Sequence, residues 1–231
     1  MERVLEVEWL DELPAGNPEA IQSRRDLRRV NFFMGHTGIL ARELAATRGS
    51  QAPRHLLEIG AGDGTFLLAA ARRLARRWPG VQVTLLDRQA LVRPETVAGF
   101  EGLGWTARLV TDDVFRWLEQ SEGMYDTVVA NLFLHHFSEP QLGGLLRGLA
   151  KRSRSFIAIE PRRAALPLGM SRLLWLIGCN RVTRHDAVAS VRAGFAGNEL
   201  SGSWPTDGSW RVSERRAGLF SHMFSAEAGR V

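Results

Sequence analysis

The sequence predicts an α/β fold on a mainly parallel, right-handed wound sheet. Three observations predict it: five apolar strand-like runs between residues 55 and 160, helical patterns separating most of them, and a glycine-rich turn joining the first strand to the next helix. Strands alternating with helices imply crossover connections, and these are right-handed.

The elements follow in order. After a stretch broken by Pro14 and Pro18, Glu19 to Thr47 is helical in pattern, with a break at Gly35 to Gly38. The first strand is His55 to Ile59, and its glycine turn leads into a helix from Thr65 to Trp78 that stops at Pro79-Gly80. Strands follow at Val81 to Leu86, Ala107 to Val110, Thr127 to Leu134 and Ser155 to Glu160. Short helices at Phe115 to Gln120 and Pro140 to Lys151 separate the later ones. Beyond Pro161 an apolar helix, Pro167 to Gly178, precedes a second helical stretch, His185 to Phe195. Two late runs, Trp210 to Arg215 and Leu219 to Phe224, lie close enough to pair as an antiparallel edge. Residues 1–50 are therefore read as a helical N-terminal cap or lid, and 51–231 as one α/β domain with a helical insertion at about 162–195.

Composition supports one buried domain. The chain has 231 residues, 45% of them hydrophobic and 24% charged, which is enough for one core and too short for two full domains. No apolar run reaches the roughly 18 residues a membrane span needs; Pro167 and Arg172 interrupt the longest. Met1 to Trp9 carries alternating acids instead of a signal-peptide core, and Cys179 is the only cysteine. The expected location is the cytoplasm. The net charge is +5, with Lys151 the sole lysine. The arginines come in scattered pairs on outer helix faces, which fits a solvated surface better than a nucleic-acid stripe.

The most specific motif is Leu56-Leu57-Glu58-Ile59-Gly60-Ala61-Gly62-Asp63-Gly64-Thr65. Its glycines permit positive φ and leave the backbone open to a ligand. The spacing differs from the dinucleotide Gly-x-Gly-x-x-Gly, and Glu58 and Asp63 place carboxylates where a pyrophosphate would sit. Two acids suit a zwitterion bearing an amino group and a sulfonium. Asp87 closes the next strand, 23 residues after Gly64, at the distance from which a carboxylate takes ribose hydroxyls. Arg88 follows it. Thr111-Asp112-Asp113-Val114 ends the third strand, where a carboxylate can take an adenine amino group, and Asn131-Leu132-Phe133-Leu134-His135-His136-Phe137 ends the fourth.

These four segments resemble motifs I to IV of the class I S-adenosylmethionine-dependent methyltransferases, over roughly Arg54 to Pro161. The resemblance implies a Rossmann-like sheet of seven strands, the last antiparallel. It implies S-adenosylmethionine as cofactor, with Glu58, Gly60 and Gly62 at the methionine end, Asp87 at the ribose and Asp113 at the adenine. Asp63, Arg88, Val114 and Asn131 complete the expected cofactor site. Val182 to Val188, Ser190-Val191-Arg192 and Asp26 to Asn31 are similar to stretches of bacterial methyltransferases associated with type III polyketide pathways. That similarity implies a small-molecule acceptor, a phenol or quinol methylated on oxygen; methylation of a small molecule on carbon or nitrogen, or of a nucleic acid, is the alternative.

A phenolic acceptor must lose a proton, and a histidine is a suitable base near neutral pH. His136, His135 and His185 are the candidates, with pocket shaping as the competing role for the first two and helix capping for the third. The apolar stretch around Met170 and Trp175 serves either the acceptor pocket or the core. No metal site is predicted, since the catechol-type pattern of acids and asparagine is missing. A short-chain reductase is excluded because Tyr125 and Lys151, the only residues of their kinds, are 26 positions apart. The Asn131-Leu132-Phe133-Leu134 run lacks the proline pair with which adenine-amino methyltransferases hold a flipped base, and Cys179 lies outside the segment a cytosine methyltransferase needs. No nucleic-acid partner is expected.

Overall fold

A computed structural model describes residues 1–48, 52–205 and 208–229. Seven strands form one sheet: β1 (His55–Ile59), β2 (Gln82–Asp87), β3 (Thr106–Thr111), β4 (Thr127–Asn131), β5 (Ser155–Pro161), β6 (Trp210–Ala217) and β7 (Ser221–Ala228). The order is β3-β2-β1-β4-β5-β7-β6. The first five strands pair in parallel, and β7 runs antiparallel to both β5 and β6. The late hairpin therefore turns inward, so that β7 separates β6 from β5. Its turn includes Gly218 at φ 74°, and this delays β7 to Ser221, later than the periodicity predicts.

Ten α-helices are described: α1 (Trp9–Glu12), α2 (Pro18–Met34), α3 (His36–Arg48), α4 (Thr65–Leu74), α5 (Pro94–Glu101), α6 (Val114–Gln120), α7 (Glu139–Ala150), α8 (Ala165–Ser171), α9 (Arg181–Ala193) and α10 (Glu199–Ser203). Asn17 starts α2 by accepting from the N–H groups of Glu19 and Ala20, and Gly35 stops it in the left-handed conformation. The predicted break in the N-terminal helix is thus a cap. The apolar helix expected at 167–178 divides instead into α8 and a 3₁₀ turn, Leu174–Ile177, which ends at left-handed Gly178. α1, α5 and α10 carry too little periodicity to be seen in the sequence.

The sheet is covered on both faces. Alternation along β1 sends Leu56 toward α3, α4 and Phe100, and Leu57 and Ile59 toward α6, α7 and Trp204. Leu40 and Leu44 of α3 are fully buried in the first of these cores. The cap and the sheet therefore share one hydrophobic interior. The expected boundary between residues 50 and 51 lies outside the described residues. No helix among them is long and apolar enough to cross a membrane.

Candidate active site

The chain winds away from β1 in both directions, toward β2 on one side and β4 on the other. The carboxyl ends of the parallel strands open at that divide, where α/β sheets hold ligands. A cleft of about 480 Å³ lies there, roofed by α2 and the segment around α1.

The glycine turn forms one wall. Gly60, Gly62 and Gly64 all have positive φ, at 65°, 56° and 70°. At Gly60 a side chain is barred twice, since a Cβ there would lie 2.2 Å from the Phe133 ring. Gly62 faces open space, which leaves its backbone accessible to a ligand. Asp87 braces the turn: one carboxylate oxygen accepts from Gly62 N–H at 2.8 Å, the other from Gln89 N–H at 2.8 Å. Asp63 accepts from the Thr65 N–H and hydroxyl and pairs with Arg28 of α2 at 2.6 Å.

Glu58 is the most perturbed group in this wall. It is 2% exposed and points to the α3–α4 face of the sheet, opposite its neighbours Leu57 and Ile59. Burial, together with the charges of Asp63 and Asp87, pushes its carboxyl well above the ordinary carboxylate range. Its Oε2 and the Oδ1 of Asn31 are buried without a hydrogen-bond partner. Two unsatisfied acceptors bordering one cleft suit a ligand ammonium group.

Farther along, Asp113 caps α6 by accepting from the N–H groups of Phe115 and Arg116, and Val114 is buried beside it. Both border the cleft, with Phe137 opposite. Phe133, Phe137 and Phe115 meet edge to face, at centroid distances of 5.0 and 5.4 Å, and form an apolar wall. Arg88 borders the cleft in an ion pair with Asp11 at 2.9 Å. Asn131 offers its Oδ1 to His36 Nδ1 at 2.9 Å, and His36 Nε2 lies 2.6 Å from the Ser221 hydroxyl. Burial lowers the pKa of His36 to about 4, so its ring is neutral.

The histidine pair occupies the opposite wall. β4 stops at Asn131, earlier than predicted, because Leu132 takes φ 52° and a 3₁₀ turn, Leu134–His136, follows. Glu160 at the end of β5 organises this turn. Its Oε1 accepts from Phe133 and Leu134 N–H at 3.0 and 2.8 Å, and its Oε2 lies 2.7 Å from His135 Nδ1. On the other side of the ring, His135 Nε2 is 3.2 Å from Glu8 Oε1. Burial opposes charge on His135, but the two carboxylates outweigh it and raise its pKa to about 9. Burial likewise opposes ionisation of Glu8, and His135 overcomes it, bringing Glu8 to about 2. His136, whose ring centroid is 4.3 Å from that of His135, is shifted down by burial and by that neighbour. His185 does not border the cleft. It stacks on Trp9 at 3.9 Å and pairs with Asp186, whose carboxylate also receives the Trp9 and Leu10 N–H groups.

Every expected cofactor residue thus borders one cleft, and so do His135 and His136. Sequence reasoning missed Glu8, Asn31 and Glu160 as members of the site. Glu8 and Glu160 are isolated acids with no spacing signal, and Asn31 showed only as part of a subfamily-like run.

Residues 56–155, from β1 to the start of β5, match the family model described as a methyltransferase domain. Over this segment the chain is similar to methyltransferase domains. The chain superposes on the plantazolicin methyltransferase BamL, solved with a triazolic desmethylPZN analog and SAH, at a TM-score of 0.65 with 13% identity, covering 92% of each chain. It also superposes on the mitomycin 7-O-methyltransferase MmcR at 0.59 with 17% identity, covering 95% of this chain and 60% of that one. These likenesses show the fold, a Rossmann-like sheet of seven strands. In sequence the chain is 34% identical over 107 residues to trans-aconitate 2-methyltransferase of Mycobacterium tuberculosis (strain ATCC 25177 / H37Ra), over 46% of this chain and 36% of that protein. A Mycobacterium sp. (strain KMS) trans-aconitate 2-methyltransferase is 33% identical over 127 residues, covering 54% and 42%. The chain spans well under half the length of these relatives.

Proposed function

We propose that the chain uses S-adenosylmethionine to methylate a small molecule, on the oxygen of a phenol or quinol. The observation that carries the cofactor assignment is the buried, unpartnered Glu58 Oε2 beside a glycine turn walled by acids. An ammonium group satisfies that oxygen, whereas a pyrophosphate would face Glu58, Asp63 and Asp87 together. Glu58, Asn31 and the turn at Gly60 and Gly62 would hold the methionine end, Asp87 the ribose, and Asp113 with Val114 and Phe137 the adenine. When bound, the cofactor supplies an electrophilic methyl group on a sulfonium leaving group.

The chain's own residues do the rest. α2 and the N-terminal segment roof the cleft, and Phe133, packed against Gly60, would form the floor between cofactor and acceptor. Alignment of acceptor, methyl carbon and sulfur accounts for most of the rate. His136 is the side chain suited to take the acceptor proton, since its lowered pKa leaves the ring neutral near pH 7. His135 is held charged between Glu8 and Glu160, so its role is to position His136 and stabilise a developing phenolate. Other acceptors of related size fit the relatives' names, which include a carboxylic acid and a mitomycin oxygen.

The test is product formation. With radiolabelled S-adenosylmethionine, label should pass to phenols and quinols in a mixed panel that also holds carboxylic acids, amines and RNA. Tight binding of S-adenosylhomocysteine without transfer to any phenol would overturn the acceptor assignment. Failure to bind it at all would overturn the whole reading.

A further inference from the structure

The wall built on the Leu134–His136 turn carries more than a proton-transfer pair requires. Glu8, His135 and His136 each offer one ligand atom, and these atoms lie within 4.8 Å of one another. Among the described residues this is the one such group. The other histidine–carboxylate pairs, His185 with Asp186 and His222 with Glu214, have no third ligand.

Its detailed geometry is that of a metal-binding imidazole. His135 turns Nε2 toward the cluster and gives Nδ1 to Glu160 at 2.7 Å. A buried carboxylate behind a ligating histidine fixes the tautomer and the ring plane. Glu160 is fully buried and anchored by backbone N–H groups, so the ring is oriented before any ion arrives. Glu8 is held in turn by the Ser190 hydroxyl, and Asp11 Oδ2 lies 3.5 Å from His136 Nδ1. Two carboxylates flank the single His135 ring, a charge balance that favours a cation there.

We propose that Glu8, His135 and His136 bind one divalent transition-metal ion of the zinc class at the acceptor end of the cleft. Two imidazole nitrogens and one carboxylate oxygen suit zinc, cobalt or iron better than magnesium or calcium, and they leave positions open for a further oxygen ligand. The ion's part in turnover rests on the function proposed above; its binding does not. Binding the ion releases the Nε2 proton of His135 to solvent, leaving Nδ1–H on Glu160; an acceptor hydroxyl on such an ion loses its proton more readily, and with the ion bound His135 and His136 serve as ligands in place of the charged group and the base.

The experiment uses the full chain without a polyhistidine tag, stripped with chelator and titrated with Zn²⁺ by calorimetry and with Co²⁺ by visible absorption. One ion per chain with tetrahedral or five-coordinate Co²⁺ bands is expected. Glu8→Gln and His136→Asn should each weaken Zn²⁺ binding at least tenfold, and Glu160→Gln about 10–100-fold. His55→Asn, at the exposed start of β1, should leave it unchanged. Thermal melts followed by circular dichroism show that each variant is folded. Absence of saturable binding by the wild type, or binding that survives both Glu8→Gln and His136→Asn in folded protein, would overturn the site. S-adenosylhomocysteine titrated into the same wild-type sample separates the two claims: its binding without Zn²⁺ leaves the function standing and removes the ion, and the reverse result does the opposite.

Discussion

Single residues decide what the cleft accepts. Burial and two neighbouring acids make a charge on Glu58 unfavourable. A ligand ammonium reverses that balance, so binding of S-adenosylhomocysteine should release a proton over the pH range in which the free Glu58 carboxyl holds one. Calorimetry in buffers of different ionisation enthalpy reads this directly, and Glu58→Gln should abolish the buffer dependence. Equal dependence in both proteins would mean that another group supplies the proton. Asp87 both braces Gly62 and faces the cleft. Asp87→Ala should weaken ligand binding by about 1–3 kcal/mol, the scale of lost hydrogen bonds to a charged group; unchanged affinity would count against its place at the ribose.

At the scale of elements, the start of α3 joins the N-terminal helices to the sheet. His36 ties this helix to Asn131 of β4 and Ser221 of β7. Its folded pKa, about 4, lies below the usual value for histidine. The unfolded chain therefore takes up the proton first as the solution is acidified. The His36 contribution is complete above about pH 6.5 and is lost as pH falls toward 4, by about 3 kcal/mol in all. Urea unfolding at pH 7 and pH 4.5 should show this loss in the wild type and a shallower one in His36→Gln. Parallel slopes would show that the ring is not buried neutral in solution.

For the whole molecule, ligand binding should appear as added stability. At a concentration of 100 Kd, S-adenosylhomocysteine contributes about 2.7 kcal/mol, which raises Tm by about 5–10 °C in a chain of this size. NAD⁺ at the same concentration should leave Tm unchanged. A shift with the dinucleotide instead would mean that the glycine turn had been read backwards.

The sheet was legible because buried parallel strands are short apolar runs, and Leu56 to Ile59 or Phe156 to Ile159 can hardly be anything else. The glycine turn was legible because positive φ restricts the residue type. The acids and the asparagine that complete the cleft were not. Glu8 and Glu160 meet across His135 only after the chain has folded, and no local periodicity records a contact between residues 127 positions apart. The inward turn of the late hairpin was also hidden, since either of its strands has the pattern to pair with β5.

That hairpin has a bearing on how the molecule is made. Residues 221–228 lie beside β5, with His222 in register with Glu160, and Ser221 anchors His36. A nascent chain can therefore assemble β1 to β5 while still on the ribosome, yet both walls of its cleft lack their outer support. A translational stall before residue 221 should leave a protease-sensitive intermediate, one that becomes resistant as soon as this single strand emerges and slides into its slot.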